Sequence, residues 1–290
     1  MKDNHKHAYL IIAHNEFEVL QTLLNLIDDV RNDIYIHFDK KVKILPKLTC
    51  YFSKLEVLSK RVDVRWGHVS QIESEYALFE TALNSGKIYD RYHLISGTHL
   101  PLKTQNEIHN FFMANTYREV LNYLPTSKYE IDLKLRHYHF FLRTHKHHNR
   151  NIRYLTQKFW HVLLKIQDIF SIKRSWKGEF HKANNWVSLT HNGLSYVLEK
   201  KEEVLQKFKW TFCGDEFFIP YLLDNEPKKF IILNCDKILF SKFEKESPAI
   251  LKITDYDTLI KSSYLFARKF SSTEIELVEH IKNYLLSSKI

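Results

Sequence analysis

Glycine and proline are scarce, six of each in 290 residues, which excludes low-complexity linkers and collagen-like architecture. Three cysteines, Cys50, Cys213 and Cys235, are too few and odd in number for a disulfide framework, and they point to a reducing compartment. No apolar run reaches the roughly 18–20 residues that a membrane span needs. The opening MKDNHKHAYLIIAH lacks the long apolar stretch and small-residue cleavage site of a signal peptide. The expectation is a soluble, cytoplasmic protein. No G-x-G-x-x-G, Walker loop or G-x-S-x-G occurs, which disfavours dinucleotide oxidoreductases, P-loop NTPases and α/β-hydrolases. What is present is apolar bulk: 44% hydrophobic and 14% aromatic residues, enough for a sizeable core.

The charge is uneven. The chain carries a net +9, and the segment 143–182 alone holds ten Lys/Arg against two acids, Asp168 and Glu179. Such a segment attracts phosphates of nucleic acid, lipid headgroups or a nucleotide. Within it Leu155, Phe159, Val162, Leu163, Ile166 and Phe170 recur at helical spacing, opposite Lys158, His161, Lys165 and Asp168. The pattern predicts a core-packed helix with a solvated basic face; the same ingredients also make a helix that docks on an anionic membrane.

Along the chain, apolar runs at 8–13, 34–38, 55–58 and 92–95 read as strands, and 16–30 and 69–84 as amphipathic helices between them. Strands separated by helices give βαβ units and a mostly parallel sheet flanked by helices, an α/β fold. Ligands of such sheets sit beyond the carboxyl ends of the strands. That singles out His14, Asn15 and Glu16, then Asp39, Lys40 and Lys41, then Ser96, Gly97, Thr98 and His99. Further on, 186–189 and 230–233 read as strands. Helices are expected over 193–208, from about Asp215, from about Thr254, and over 273–286. With no repeat and no linker, residues 1–290 read as one domain with a basic, helical excursion at about 143–182.

Few motifs carry chemistry on their own. His137, His139, His145, His147 and His148 lack cysteines and carboxylates at ligand spacing, so they read as a solvated basic surface. Asp255-Tyr256-Asp257 is a D-x-D, but Thr254 followed by Asp257 is a helix-capping arrangement. In Cys213-Gly214-Asp215-Glu216, either Asp215 caps the following helix or one of the two carboxylates acts as a general base beside aromatic surface. In Leu265-Phe266-Ala267-Arg268-Lys269-Phe270, two cations between aromatics are either solvated strand-end charges or a diphosphate clamp.

Taken in order, AYLIIAHNE at 8–16, YIHFDKK at 35–41, RWGHVSQIESEYALFETAL at 65–83 and YDRYHLISGTHLPLKT at 89–104 resemble one family. NWVSLT at 185–190, GDEFF at 214–218 and the stretch from SPAIL to LFARKF at 247–270 continue the resemblance. It is the core-2/I-branching β-1,6-N-acetylglucosaminyltransferase family (glycosyltransferase family 14), which includes peptide O-xylosyltransferases. The resemblance implies a GT-A type fold and an inverting, metal-independent transfer from a UDP-sugar, with no cofactor. It implies Glu216 as catalytic base. Ala13, Asp39, Lys245, Arg268 and Lys269 would contact UDP. Arg136, Asn185, Trp186 and His99 fall where acceptor or donor sugar would be met. Two departures stand out: His99 replaces the family's usual acid in S-G-x-D-x-P-L, and Ala183-Asn184-Asn185-Trp186 replaces G-S-x-W.

UDP-GlcNAc is the implied donor and a glycan hydroxyl the acceptor, in cell-surface polysaccharide or glycolipid synthesis; UDP-xylose is the sibling option. The missing disulfides and anchor suit a bacterial-type member working on a lipid-linked glycan at the inner face of the cytoplasmic membrane. A non-catalytic polyanion or nucleic-acid binder would explain the basic segment and leave the transferase-like segments unexplained.

Overall fold

The computed structural model describes residues 5–244 and 247–287. The first elements are β1 (His7–Ala13), α1 (Phe17–Ile27), β2 (Asn32–Phe38), β3 (Lys54–Val57), α2 (Ser70–Leu83) and β4 (Arg91–Ser96). These follow the periodicity of the sequence. In α1, Val19, Leu20, Leu23, Leu24 and Ile27 form one buried face. Each such side chain contributes roughly 1.5–3 kcal/mol against exposure. β1, β2 and β4 are almost wholly buried, the signature of parallel strands covered on both faces.

Next come β5 (Leu100–Pro101), α3 (Gln105–Met113), β6 (Arg118–Leu121) and β7 (Tyr123–Leu124). Thr104 and Glu107 close a reciprocal capping box at the start of α3. The middle of the chain holds α4 (Lys128–Ile131), a π-helical turn Asp132–Arg136, α5 (Leu142–His145), α6 (Arg150–Ile169) and β8 (Lys182–Ala183). After it run β9 (Ser188–Leu189), α7 (His191–Glu199), α8 (Lys201–Phe208), a 3-10 turn Gly214–Glu216, α9 (Phe218–Asp224) and β10 (Ile231–Asn234). The chain ends with β11 (Leu239–Ser241), β12 (Phe243–Glu244), β13 (Ser247–Pro248), α10 (Tyr256–Lys261), β14 (Phe266–Arg268) and α11 (Ile275–Ser287).

The central sheet has the order β10-β6-β9-β4-β1-β2-β3. All its pairings are parallel except those of β9 with β4 and with β6. The fold is α/β with a mostly parallel sheet flanked by helices. A second sheet, β11-β14-β5, pairs Ser241 with Arg268 and Leu100 with Ala267. It carries the C-terminal cationic segment back to the loop that follows β4.

Several expectations are corrected. The helix over 193–208 is two helices meeting at Lys200, where ψ opens to 6°. Apolar spacing continues across the break, so the sequence does not mark it. Strand pairing expected from 186 begins at Ser188, and Trp186 is left free to turn its ring toward Arg268. In the D-x-D, the capping atom belongs to Asp255, not Thr254: its Oδ2 accepts from the Lys252 N–H at 2.9 Å. Asp215 does not cap α9; it is buried and accepts from Gln71 Nε2 at 2.8 Å.

The largest correction concerns α6. Its buried residues are Thr156, Trp160, Leu164 and Gln167, and the apolar stripe expected to pack inward faces solvent. Trp160 and Leu164 join Leu142 in a small core of their own. Three of the five histidines before α6 are correspondingly not a solvated surface, whereas His148 is exposed and His147 half-buried. His137, His139 and His145 are buried. His139 donates from Nε2 to the Leu133 carbonyl at 2.7 Å and accepts from Trp160 Nε1 at 3.0 Å, so both ring nitrogens are used up fixing α6.

Candidate functional site

The site is built at the carboxyl ends of β1, β2 and β4. The Asp39 N–H donates to the Ala13 carbonyl at 3.0 Å, and the Gly97 N–H donates to the Ile12 carbonyl at 2.9 Å, so three strand ends converge. Gly97 keeps the approach close: a Cβ would stand 3.2 Å from the Ala13 Cβ and push the strand ends apart by a few tenths of an ångström. The Asp39 carboxylate is buried and accepts from Lys41 through both the backbone N–H (2.9 Å) and Nζ (2.6 Å). His14 follows β1; partial desolvation lowers its pKa, Asp39 opposes this, and Lys269, Lys41 and Arg268 reinforce it. Its electrostatics therefore place the end of β1 within reach of the C-terminal cations.

Those cations are held from two sides. The Phe270 N–H donates to the Thr98 carbonyl at 3.0 Å, tying the end of β14 to the loop after β4, and the Leu251 N–H donates to the Lys269 carbonyl at 2.9 Å. Glu16, in the left-handed region at φ 55°, accepts from Ser271 Oγ at 3.0 Å and from the Ser272 N–H at 2.7 Å. Burial alone would raise the Glu16 pKa; the Ser272 and Ser271 hydrogen bonds, with help from Lys269, lower it. The Arg268 guanidinium sits 4.9 Å from the Trp186 ring centre. Desolvation brings Arg268 down to about 10, still a cation at neutral pH.

His99 packs edge-on against the other side of this layer, 4.9 Å from Trp186. It is fully buried, and its Nδ1 accepts from the Ser96 N–H at 3.1 Å, which leaves the proton on Nε2. Burial, then Arg268, pushes its pKa far down. His99 and Trp186 line one small cavity together, and His99 Nε2 has no hydrogen-bond partner among the described residues.

Glu216 lies in the 3-10 turn between Cys213, at φ 51°, and α9. Gly214 opens that turn because a Cβ would meet Thr211 Oγ1 at 2.5 Å and Phe208 at 2.8 Å. Glu216 Oε2 is 2.8 Å from Lys134 Nζ and 3.5 Å from Lys182 Nζ. Both lysines also bind Glu130, at 2.9 and 2.8 Å. Four elements thus contribute one alternating square of charge: α4, the π-helical turn, β8 and the 3-10 turn. Burial opposes the ionised forms of Lys134 and Glu130. Even so, Lys134 is held above its ordinary range by Glu216 and Glu130, and the lysine hydrogen bonds bring Glu130 down to about 2. Interrupting a helix with a π turn is a common device for aiming functional side chains.

Asp215, beside Glu216, is buried near Glu75. Desolvation, then the Glu216 charge, raises Asp215 to about 7; desolvation, then Asp215, raises Glu75 well above its usual value. Asp215 Oδ2 is also 3.5 Å from Asn185 Nδ2. The sequence Asn185-Trp186 therefore touches both halves of the site, Asn185 at Asp215 and Trp186 at Arg268. Carboxylate and guanidinium lie along one wall.

A family model described as Core-2/I-Branching enzyme matches residues 7–239. The chain belongs to the Core-2/I-Branching enzyme family. It is a glycosyltransferase. No curated protein matches it significantly. Among solved structures it is similar to mouse xyloside xylosyltransferase 1 in its apo form, at 10% identity and a TM-score of 0.40, with 93% of this chain and 98% of that chain covered.

In this Core-2/I-Branching enzyme, Ala13 and Asp39 meet at the strand ends to which the Arg268–Lys269 segment is tied; Trp186 and Asn185 run from Arg268 to Asp215, and Glu216 is the next residue, held by Lys134 and Lys182. Lys245 lies outside the described residues. Arg136 is not brought in: its guanidinium pairs with Asp132 at 3.0 Å, and its carbonyl accepts from the Arg174 N–H. The residues that sequence reading missed are Lys134, Lys182, Glu130, Gln71 and Glu75. Lys182 stood in the basic segment and Lys134 two places before Arg136, but nothing local marked either as the partner of Glu216. Among the described residues, no group of three or more His, Cys, Asp or Glu could hold a metal ion.

Proposed function

We propose that this enzyme transfers GlcNAc from UDP-GlcNAc, with inversion and without a metal, to a glycan hydroxyl in β-1,6 linkage. The single supporting observation is the Asn185-Trp186 pair: Asn185 reaches Asp215, the residue before Glu216, and Trp186 lies against Arg268, the residue before Lys269. The bond from C1 of the sugar to the diphosphate oxygen breaks with both electrons going to UDP. An acceptor hydroxyl oxygen bonds to C1 from the opposite face, and Glu216 takes its proton. Arg268 and Lys269 meet the charge that grows on the diphosphate, the kind of fixed electrostatic support that is the largest catalytic contribution in many enzymes. Asp39 and Ala13 hold the uridine. The D-x-D favours this division of labour, because Asp255 is committed to the Lys252 N–H and to Lys242 Nζ at 3.1 Å.

The test is UDP release from a panel of UDP-sugars, with and without EDTA. UDP-GlcNAc is expected to be turned over, and EDTA to change the rate little. Release from UDP-xylose alone would shift the donor assignment, and inhibition by EDTA that manganese reverses would overturn the metal-free mechanism. Lys269→Ala is expected to weaken UDP binding in calorimetry and to raise the barrier by roughly 2.7–4 kcal/mol, the usual cost of one lost charge-stabilising donor.

A further inference from the structure

The exposed face of α6 is a second functional surface. Ile152, Leu155, Phe159, Val162, Ile166 and Ile169 follow one another at alternating spacings of three and four, and all face solvent, from 40% exposed at Ile166 to 75% at Ile169. Phe170 and Ile172 extend the stripe beyond the helix, both exposed. A contiguous apolar strip of this length is an interaction site, not ordinary surface. It is not misfolded core, because the opposite face is firmly seated. Trp160 is bonded to His139, Gln157 donates to the His145 carbonyl at 3.1 Å, and Gln167 bonds both the N–H and the carbonyl of Tyr138.

The spacing would also suit a helix from a second copy, and charge decides between the two occupants. Lys158 and Lys165 flank the stripe, and Arg150 and Arg153 stand at its start. None of the four has an acid within ion-pair distance among the described residues. The helix's own acid, Asp168, is 2.8 Å from His137 Nε2. Pairing two copies along this seam would set lysine against lysine within segments that each carry a net +8. An anionic bilayer offers the stripe an apolar phase and offers the lysines phosphates.

We propose that α6 is an interfacial helix that docks this enzyme on an anionic membrane, with the apolar stripe inserted at headgroup depth. Among the described residues no helix is long and apolar enough to cross a membrane, so the protein lies on this surface through α6. The docking also bears on catalysis, and that part rests on the transfer reading above. The segment gripped by α6, residues 137–145, directly follows the turn that supplies Lys134 to Glu216. A membrane under α6 therefore brings a lipid-linked acceptor to the same element that positions the base.

The full chain is mixed with vesicles of phosphatidylcholine alone or containing phosphatidylglycerol, then sedimented at low and high salt. Binding is expected only to the anionic vesicles, weakening as salt rises. Lys158→Glu with Lys165→Glu is expected to weaken it about thirtyfold or more, and Phe159→Ser with Ile166→Ser at least about tenfold. Ile88→Ser, an exposed apolar residue elsewhere, is the control and leaves binding unchanged. All variants should keep the wild-type melting temperature and the wild-type rate with a soluble acceptor, so loss of docking is separable from failure of the catalytic reading. No vesicle binding by the wild type, or equal binding by both double variants, overturns the proposal. So does a concentration-dependent dimer that the serine variants dissolve, or salt-steep RNA binding without vesicle binding.

Discussion

A Glu216→Gln variant is expected to bind UDP with unchanged affinity and to lose transfer by about 10²–10⁴-fold, the usual contribution of a positioned general base. The isosteric amide keeps the turn between Gly214 and Phe217 and can still accept from Lys134, so the change removes basicity and not architecture. The lysine square explains why the side chain is ready before acceptor arrives. Lys134 and Lys182 approach Glu216 Oε2, which holds the side chain in place and leaves Oε1 for the incoming hydroxyl. The neighbouring acid supplies the control. Asp215 is enclosed inside the protein, its Oδ2 held by Gln71 at 2.8 Å and Asn185 at 3.5 Å and its buried Oδ1 without a hydrogen-bond partner among the described residues. Asp215→Asn should therefore retain most of the activity. An inactive Asp215→Asn beside an active Glu216→Gln would move the base by one residue and overturn the assignment.

The parts of this site that the sequence disclosed are those fixed by short-range rules. Strand periodicity gave β1, β2 and β4, and the rule that ligands sit beyond strand ends then pointed to His14, Asp39 and the loop holding His99, with Ala13 coming from the resemblance. The resemblance added Glu216, Arg268 and Lys269. The square around Glu216 is different in kind: Lys134 and Lys182 arrive from segments 82 and 34 positions earlier, on a π turn and a two-residue strand that no periodicity announces. The orientation of α6 was hidden for a related reason. Periodicity shows that a helix has an apolar stripe, but not whether anything covers it. The face that packs, Thr156, Trp160, Leu164 and Gln167, is half polar, and it is buried because residues 137–145 satisfy its hydrogen bonds. The buried histidines of that loop escaped notice because a run of histidine and lysine reads as a wet surface until its partners are known.

Those histidines belong to a larger set with a large expected effect on stability. His7, His93 and His109 form a cluster at the end of the sheet away from the site, with His93 Nε2 3.0 Å from His7 Nδ1 and the His7 and His109 rings stacked at 3.8 Å. His37, His99 and His139 are equally buried. In all six, burial is the largest cause of a lowered pKa, and His37, His109 and His139 fall to about 4. The unfolded chain protonates each near 6.5 while the native chain does not, so stability falls as pH drops below that value. Three buried acids act in the opposite sense: Asp215, Glu75 and Glu119 have raised pKa values, and the native state takes up their protons first. His14, His68 and His145 are lowered in the same sense, so the histidines outnumber the acids and stability falls between pH 6 and pH 5. The expected result is a lower Tm at pH 5 than at pH 7.5. Thermal melts across this range check it, and a Tm as high at pH 5 as at pH 7.5 would refute the balance. Glu75→Gln sharpens the test. The amide removes a carboxyl whose burial costs stability only where the unfolded chain would ionise it. The variant should therefore melt higher than wild type at pH 7.5 and converge with it as the pH falls toward the unfolded carboxyl pKa.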